Sequence, residues 1–206
     1  MRRIAFAAVM VLVPSGLLLT WGSSASALIT YTGTVSCTSA GGTVTFTPPL
    51  SANGTATTET IKVKNPINPC TPSSPNVPPS VHGTIVGKVV LSVPGAAANN
   101  CGVLFPTSPG TKMFTPTPVP TTWGVAWKPT ATPSHLAFSQ LNVINTAGQI
   151  SVAVTGTVTG SFKSPPPGGI ALEGSAVWSL AAIQAACATA VGLSHLTIGT
   201  TAVDAL

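Results

Sequence analysis

The segment QISVAVTGTVTGSFK, Gln149 to Lys163, decides the fold class. Ile150, Val152, Val154, Gly156, Val158, Gly160 and Phe162 share one side, while Ser151, Ala153, Thr155, Thr157, Thr159, Ser161 and Lys163 share the other. A period of two places alternate side chains on opposite faces of an extended chain. The segment therefore reads as a half-buried strand, continuous or bent at Gly156 or Gly160. A helix would need apolar residues three and four apart, and that spacing is absent.

The same alternation recurs in both directions from this segment. Ile29, Tyr31, Gly33, Val35 and Cys37 oppose Thr30, Thr32, Thr34 and Ser36. Val44 and Phe46 face inward from Thr43 to Thr47; Ile61 and Val63 do so from Glu59 to Lys64, with Lys62 and Lys64 outward. Gly83 to Val93 buries Ile85, Val89, Leu91 and Val93, and Thr121 to Trp127 aligns Trp123, Val125 and Trp127. Leu136 to Ile144 changes parity near Gln140, which predicts a bulge. Leu172, Ala176 and Trp178 mark a strand over Ile170 to Trp178, and Leu196 and Ile198 mark the last, Leu196 to Thr200. About nine strands are expected.

Between the strands, Asn65 to Ser80, Phe105 to Pro120 and Ser164 to Gly169 are predicted as long loops, because proline fixes φ and removes a backbone donor. Ser179 to Gly192 departs from period two. Ser179 is placed to cap a helix and Gly192 to stop it, with Leu180, Ile183, Cys187 and Val191 on one face. Many short strands, such turns and a single helix predict a mainly β chain. The expected form is an antiparallel β-sandwich, immunoglobulin-like in general architecture, with one short C-terminal helix; a jelly roll or β-barrel is the alternative.

Met1 to Ala27 reads as a secretory signal peptide. Arg2 and Arg3 form its basic start, Ile4 to Leu19 its apolar stretch interrupted by Pro14, and Ala25-Ser26-Ala27 a cleavage site. Residues 28–206 are then one exported domain, with no stable membrane span after cleavage. Both arginines leave with the signal. Lys62, Lys64, Lys88, Lys112, Lys128 and Lys163 remain against Glu59, Glu173 and Asp204. Six lysines scattered in sequence and no arginine argue against nucleic acid as a partner.

Four cysteines in an oxidising compartment imply two disulfides, and three pairings are possible. Cys37 with Cys70 and Cys101 with Cys187 is favoured: the first ties a strand end to the proline-rich stretch, the second pins the helix to the loop after Val93. No CxxC or Cys/His cluster suggests a metal or redox site, so no metal or other cofactor is expected.

Catalysis has few residues to draw on. A glycosidase needs two facing carboxylates, and Glu59 with Glu173 is the pair available for a secreted hydrolase. His82, His135 and His195 share no metal-binding spacing, and no G-x-S-x-G occurs to make one of them part of a serine triad. Trp123 and Trp127 have the same parity and could stack sugar rings as a carbohydrate-binding platform, or they fill the core beside Val125.

The strings GTVSC at Gly33 to Cys37, GTVTFTPPL at Gly42 to Leu50, TETIKVK at Thr58 to Lys64 and SLAAIQAAC at Ser179 to Cys187 resemble those of small secreted proteins of unknown function from high-GC Gram-positive bacteria. The resemblance implies a β-sandwich with two disulfides and supplies no catalytic residues. The expected role is that of a secreted, non-catalytic structural or binding protein of the bacterial exterior or cell envelope. Its partner would be an envelope or extracellular ligand, polysaccharide or protein.

Overall fold

This computed structural model describes residues 29–31, 33, 35–73, 75–115, 122–129, 131–162, 172–200 and 202–203. The expected signal peptide, the Ser164 to Gly169 turn, Lys163 and Asp204 lie outside the described residues. Among the described residues, eleven strands and two short helices follow one another as β1 (Val35–Ser39), β2 (Gly42–Leu50), β3 (Thr58–Pro72), β4 (His82–Ser92), α1 (Cys101–Leu104), β5 (Gly110–Phe114), β6 (Thr122–Lys128), β7 (Ser134–Thr146), β8 (Gln149–Thr159), β9 (Leu172–Ser179), α2 (Leu180–Cys187), β10 (Leu193–Ile198) and β11 (Ala202–Val203). The protein is mainly β and its strand ladders are antiparallel.

Strand pairing runs in a circuit. β3 pairs with β2, β2 with β10, β10 with β9, β9 with β8, β8 with β7, β7 with β6, β6 with β4, and β4 again with β3. Such closure joins all the layers and is the feature that the barrel alternative anticipates. The seam between β9 and β10 is thin, resting on the pair Ile198 and Ala176. β1 and β11 extend the sheet from the far half of β3, and β5 lies along β7 beyond β6.

Two long strands make this arrangement possible. β7 bonds β8 along its whole length on one side and β6 then β5 on the other. Its register shifts between Phe138 and Gln140, the bulge that the parity change predicts. β3 runs farther than the sequence suggests: Asn65 to Pro72, expected as loop, continues the strand, with Asn65, Pro66 and Ile67 opposite Ile85, Thr84 and Gly83. Pro69 is tolerated because its missing donor falls where the ladder is already interrupted. Asn68 and Pro69 lie within the register shift against β1, and beyond Ile67 β4 no longer pairs with β3. Likewise Gly110 to Phe114, expected as loop, forms β5.

Glycines set two of the breaks. Gly160 has φ +93°, and a Cβ there would press on the Pro133 carbonyl oxygen, so the strand begun at Gln149 ends at Thr159. Gly33 has φ +106° and separates Ile29 from β1. The expected strand from Ile29 to Cys37 is thus divided: Ile29 makes an isolated bridge to Ala131, and the regular strand starts at Val35.

Inward-facing Phe46, Leu50, Ile61, Ile85, Val89, Leu91, Trp123, Val125, Trp127, Leu136, Leu141, Val143, Ile150, Val154 and Leu196 form a continuous core. Burying such side chains stabilises by roughly 1.5 to 3 kcal/mol each. The apolar side faces in and Thr and Lys face out, the inverse of a membrane-spanning barrel. No helix among the described residues is long and apolar enough to cross a membrane.

One end of the circuit is covered by the helices. In α2 the Ser179 Oγ accepts from the Ala182 N–H (3.3 Å), and Leu180, Ile183 and Cys187 are buried. The expected helix to Gly192 is shorter than read, and Val191 is 78 % exposed instead of sharing the buried face. The Thr189 hydroxyl donates to the Ala186 carbonyl and accepts from the Gly192 N–H, which closes the turn after Cys187. α1 is capped by Asn100, and the Lys112 ammonium donates to the carbonyls of Gly102 (2.5 Å) and Val103 (2.9 Å) at its C-terminal end.

Cys37 is bonded to Cys70 and Cys101 to Cys187. The first bond joins directly opposed residues of β1 and β3. The second ties α1 to α2 beneath Ser51 and Ala52, whose backbones bond Asn99, Cys101 and Cys187.

Candidate ligand-binding face

Outward residues of neighbouring strands come into line when the registers are followed across the sheet. One row runs Thr197 (β10), Thr43 (β2), Lys64 (β3), Val86 (β4), Gly124 (β6), His135 (β7), Thr159 (β8), each opposite the next. A second row, two residues along, runs His195, Thr45, Lys62, Lys88. These side chains are exposed apart from the half-buried Gly124. The central part of both rows lines an outer groove of about 760 Å³, floored by Gly124 and Ala126 and bounded by Lys62, Lys64, Lys88 and His135. That volume lies in the range of ligand sites, roughly 300 to 1,000 Å³.

The electrostatics of the groove are one-sided. Lys62 and Lys88 are directly opposed across β3 and β4, and Lys64 is two residues farther along β3. Directly opposed like charges destabilise a sheet pair. No carboxylate lines the groove among the described residues. The lysines that appear scattered along the sequence are therefore partly gathered by the fold, three of them on one face.

Buried polar groups behave differently. Ser39 donates to Asn65 Oδ1 (2.7 Å), Asn145 to the Pro106 carbonyl (3.0 Å), and Asn99 Oδ1 accepts from the Ala56 N–H (2.8 Å). Glu59 is the exception among these buried groups. It is 0 % exposed; Oε1 accepts from the Thr47 N–H (2.7 Å), while Oε2 has no hydrogen-bond partner among the described residues. Burial pushes its carboxyl up to about 7, against the opposing effect of the Thr47 bond.

Several sequence-predicted site residues do not form the sites considered for them. Trp123 and Trp127 are each 5 % exposed and face the core, so the stacking platform for sugars is not built. Trp127 donates through Nε1 to Ser134 Oγ (2.8 Å) and meets Phe162 edge-on at 4.7 Å; the Trp123 ring lies over Gly87. Glu59 lies on β3 opposite Leu91, sealed from solvent, and Glu173 occupies a position on β9 opposite Ala153. β2 and β10 stand between those two strands. His82 pairs in register with Lys128, His135 with Gly124 and His195 with Thr45, and no group of three potential metal ligands forms among the described residues. His195 lies 6.4 Å from the Trp178 ring.

An apolar cavity of about 60 Å³ lies among Phe46, Leu104, Phe105, Trp123, Leu141 and Leu196. It falls well short of the volume of a ligand site. No family model matches the chain, and neither does any curated protein or solved structure.

Proposed function

We propose that this chain is an exported, non-catalytic binding protein of the bacterial exterior that holds its ligand in the outer groove. The observation that carries the reading is the groove itself: a large concave face whose strand registers bring Lys62, Lys64 and Lys88 together with no carboxylate beside them among the described residues. Two disulfides suit an oxidising compartment, and the signal-like start suits export to it. A hydrolytic role is less well supported, because the buried Glu59 has no surface to offer a substrate.

The test is co-sedimentation of residues 28–206 with isolated envelopes of the bacterium that makes the protein. Saturable binding without release of soluble sugar or peptide products is the expected result. Failure to sediment at any protein concentration, or release of products with turnover, overturns the reading.

A further inference from the structure

We infer that the groove takes a hydroxyl-rich polyanion, an acidic polysaccharide or a polyol phosphate, laid across the strands over Lys62, Lys64 and Lys88. The inference rests on the binding reading above and names the chemistry of its ligand.

Charge comes first. Lys62 and Lys88 face each other on adjacent strands about 5 Å apart at Cβ, with Lys64 on the same face. An anionic group seated between two ammonium groups replaces repulsion by two attractions. Lysine suits this task, since it is a compact point charge on a flexible stem and adapts to anions of different shape. A carboxylate lining would cancel this field, and among the described residues the groove has none.

Next come the uncharged side chains. Thr43, Thr45 and Thr159 offer hydroxyls that both donate and accept, and His135 offers a ring nitrogen, all within the groove. Val86, 47 % exposed, gives an apolar surface between Lys64 and Gly124 for the C–H face of a sugar or polyol. Gly124 and Ala126 keep the floor low, so a chain can approach the backbone. Within the groove the row runs from Thr43 to Thr159 over six strands, a contour of about 24 Å around the circuit at ~4.8 Å per strand.

Other polyanions fit less well. Single-stranded nucleic acid is held by exposed aromatic platforms, and the one Trp in the lining, Trp123, is buried. An acidic peptide would add to a sheet edge, whereas β2, β3, β4 and β6 are paired on both sides at the groove.

The experiment is affinity electrophoresis of residues 28–206 in gels containing polygalacturonate, poly(glycerol phosphate), dextran or a short oligothymidylate, with the folded state of each variant checked by circular dichroism. Retardation by one or both of the first two is expected, and which of them acts identifies the anion as carboxylate or phosphodiester. The double variant Lys62→Gln/Lys88→Gln should weaken that binding about tenfold, while Lys128→Gln, outside the groove lining, changes it less than about twofold. Equal retardation by dextran, binding by the oligothymidylate alone, or polyanion binding undiminished in the double variant overturns the inference. Envelope sedimentation separates the two claims. If the double variant still sediments as the parent does, the polyanion inference falls and the binding reading stands; if the parent does not sediment, the binding reading falls.

Discussion

The interior and the outer groove treat ionisable groups in opposite ways. Glu59 sits alone inside, stripped of water, with one oxygen bonded to the Thr47 N–H. Lys62, Lys64 and Lys88 sit together outside, exposed to water and facing one another. A lone buried carboxylate avoids the cost of its charge by holding its proton, so its pKa rises to about 7. Clustered surface ammonium groups repel one another only weakly, because water and salt screen them. The difference teaches where function can reside: the interior group has no access to a partner, whereas the surface group lacks only one.

Opening the interior should give the largest effect. Cys101 and Cys187 are 86 residues apart, and in the chain-entropy model losing such a closure costs about 4 to 5 kcal/mol. The variant Cys101→Ser/Cys187→Ser should lose about that much in urea unfolding. Glu59 is one residue in from the start of β3, at the end that α1 and α2 cover, so water admitted there should also bring its pKa down toward the ordinary carboxylate range. A carboxyl ¹³C titration would follow this, and an unchanged pKa in a loosened protein would break the link between the helical cover and the sealed carboxylate.

The next effect is on pH. Glu59 binds its proton more tightly folded, at about 7, than unfolded, at 4.5. Its contribution to stability is therefore greatest below about pH 4.5, declines as pH rises through about 7, and is level above. A shift of this size corresponds to about 3 kcal/mol. Glu59→Gln should flatten that decline and unfold at a higher temperature than the parent at pH 8; a variant retaining the parent's slope would show that another group sets it. Smaller still is Gly87→Ala. A Cβ at Gly87 would press on the Trp123 ring, so chemical denaturation should report a loss of about 1 to 3 kcal/mol.

Much of the fold was legible in the chain because period two is a direct imprint of a half-buried sheet. Gln140 betrayed its bulge by a change of parity, and Ser179 its cap by type and place. β5 was hidden because Gly110 to Phe114 lies between prolines and pairs only with β7. The continuation of β3 was hidden because the prolines of Asn65 to Pro72 argue against a ladder unless the positions of the missing bonds are known. The candidate site was less legible. Alternation turns Lys62 and Lys64 outward, but only the β3–β4 register sets Lys62 against Lys88, and register depends on distant pairing. Trp123 and Trp127 share parity with Val125, which suits a core as well as a platform, and their burial decides for the core.

The smallest effect bears most directly on the groove. If Lys62 and Lys88 oppose each other without a ligand, removing one charge should relieve the protein. Lys62→Gln should raise the stability of the ligand-free form by a few tenths of a kcal/mol, and the gain should shrink as salt is added. Lys128→Gln gives the comparison for net charge alone, since its register partner is His82 and not another lysine. Thermal unfolding at low and high salt reads both. The groove reading requires the gain from Lys62→Gln to exceed that from Lys128→Gln and to vanish when polygalacturonate or poly(glycerol phosphate) is bound, because a seated anion makes Lys62 favourable. Equal gains for the two variants would mean that the opposed lysines do not sense each other, and the outer face would then differ from the rest of the surface only in shape.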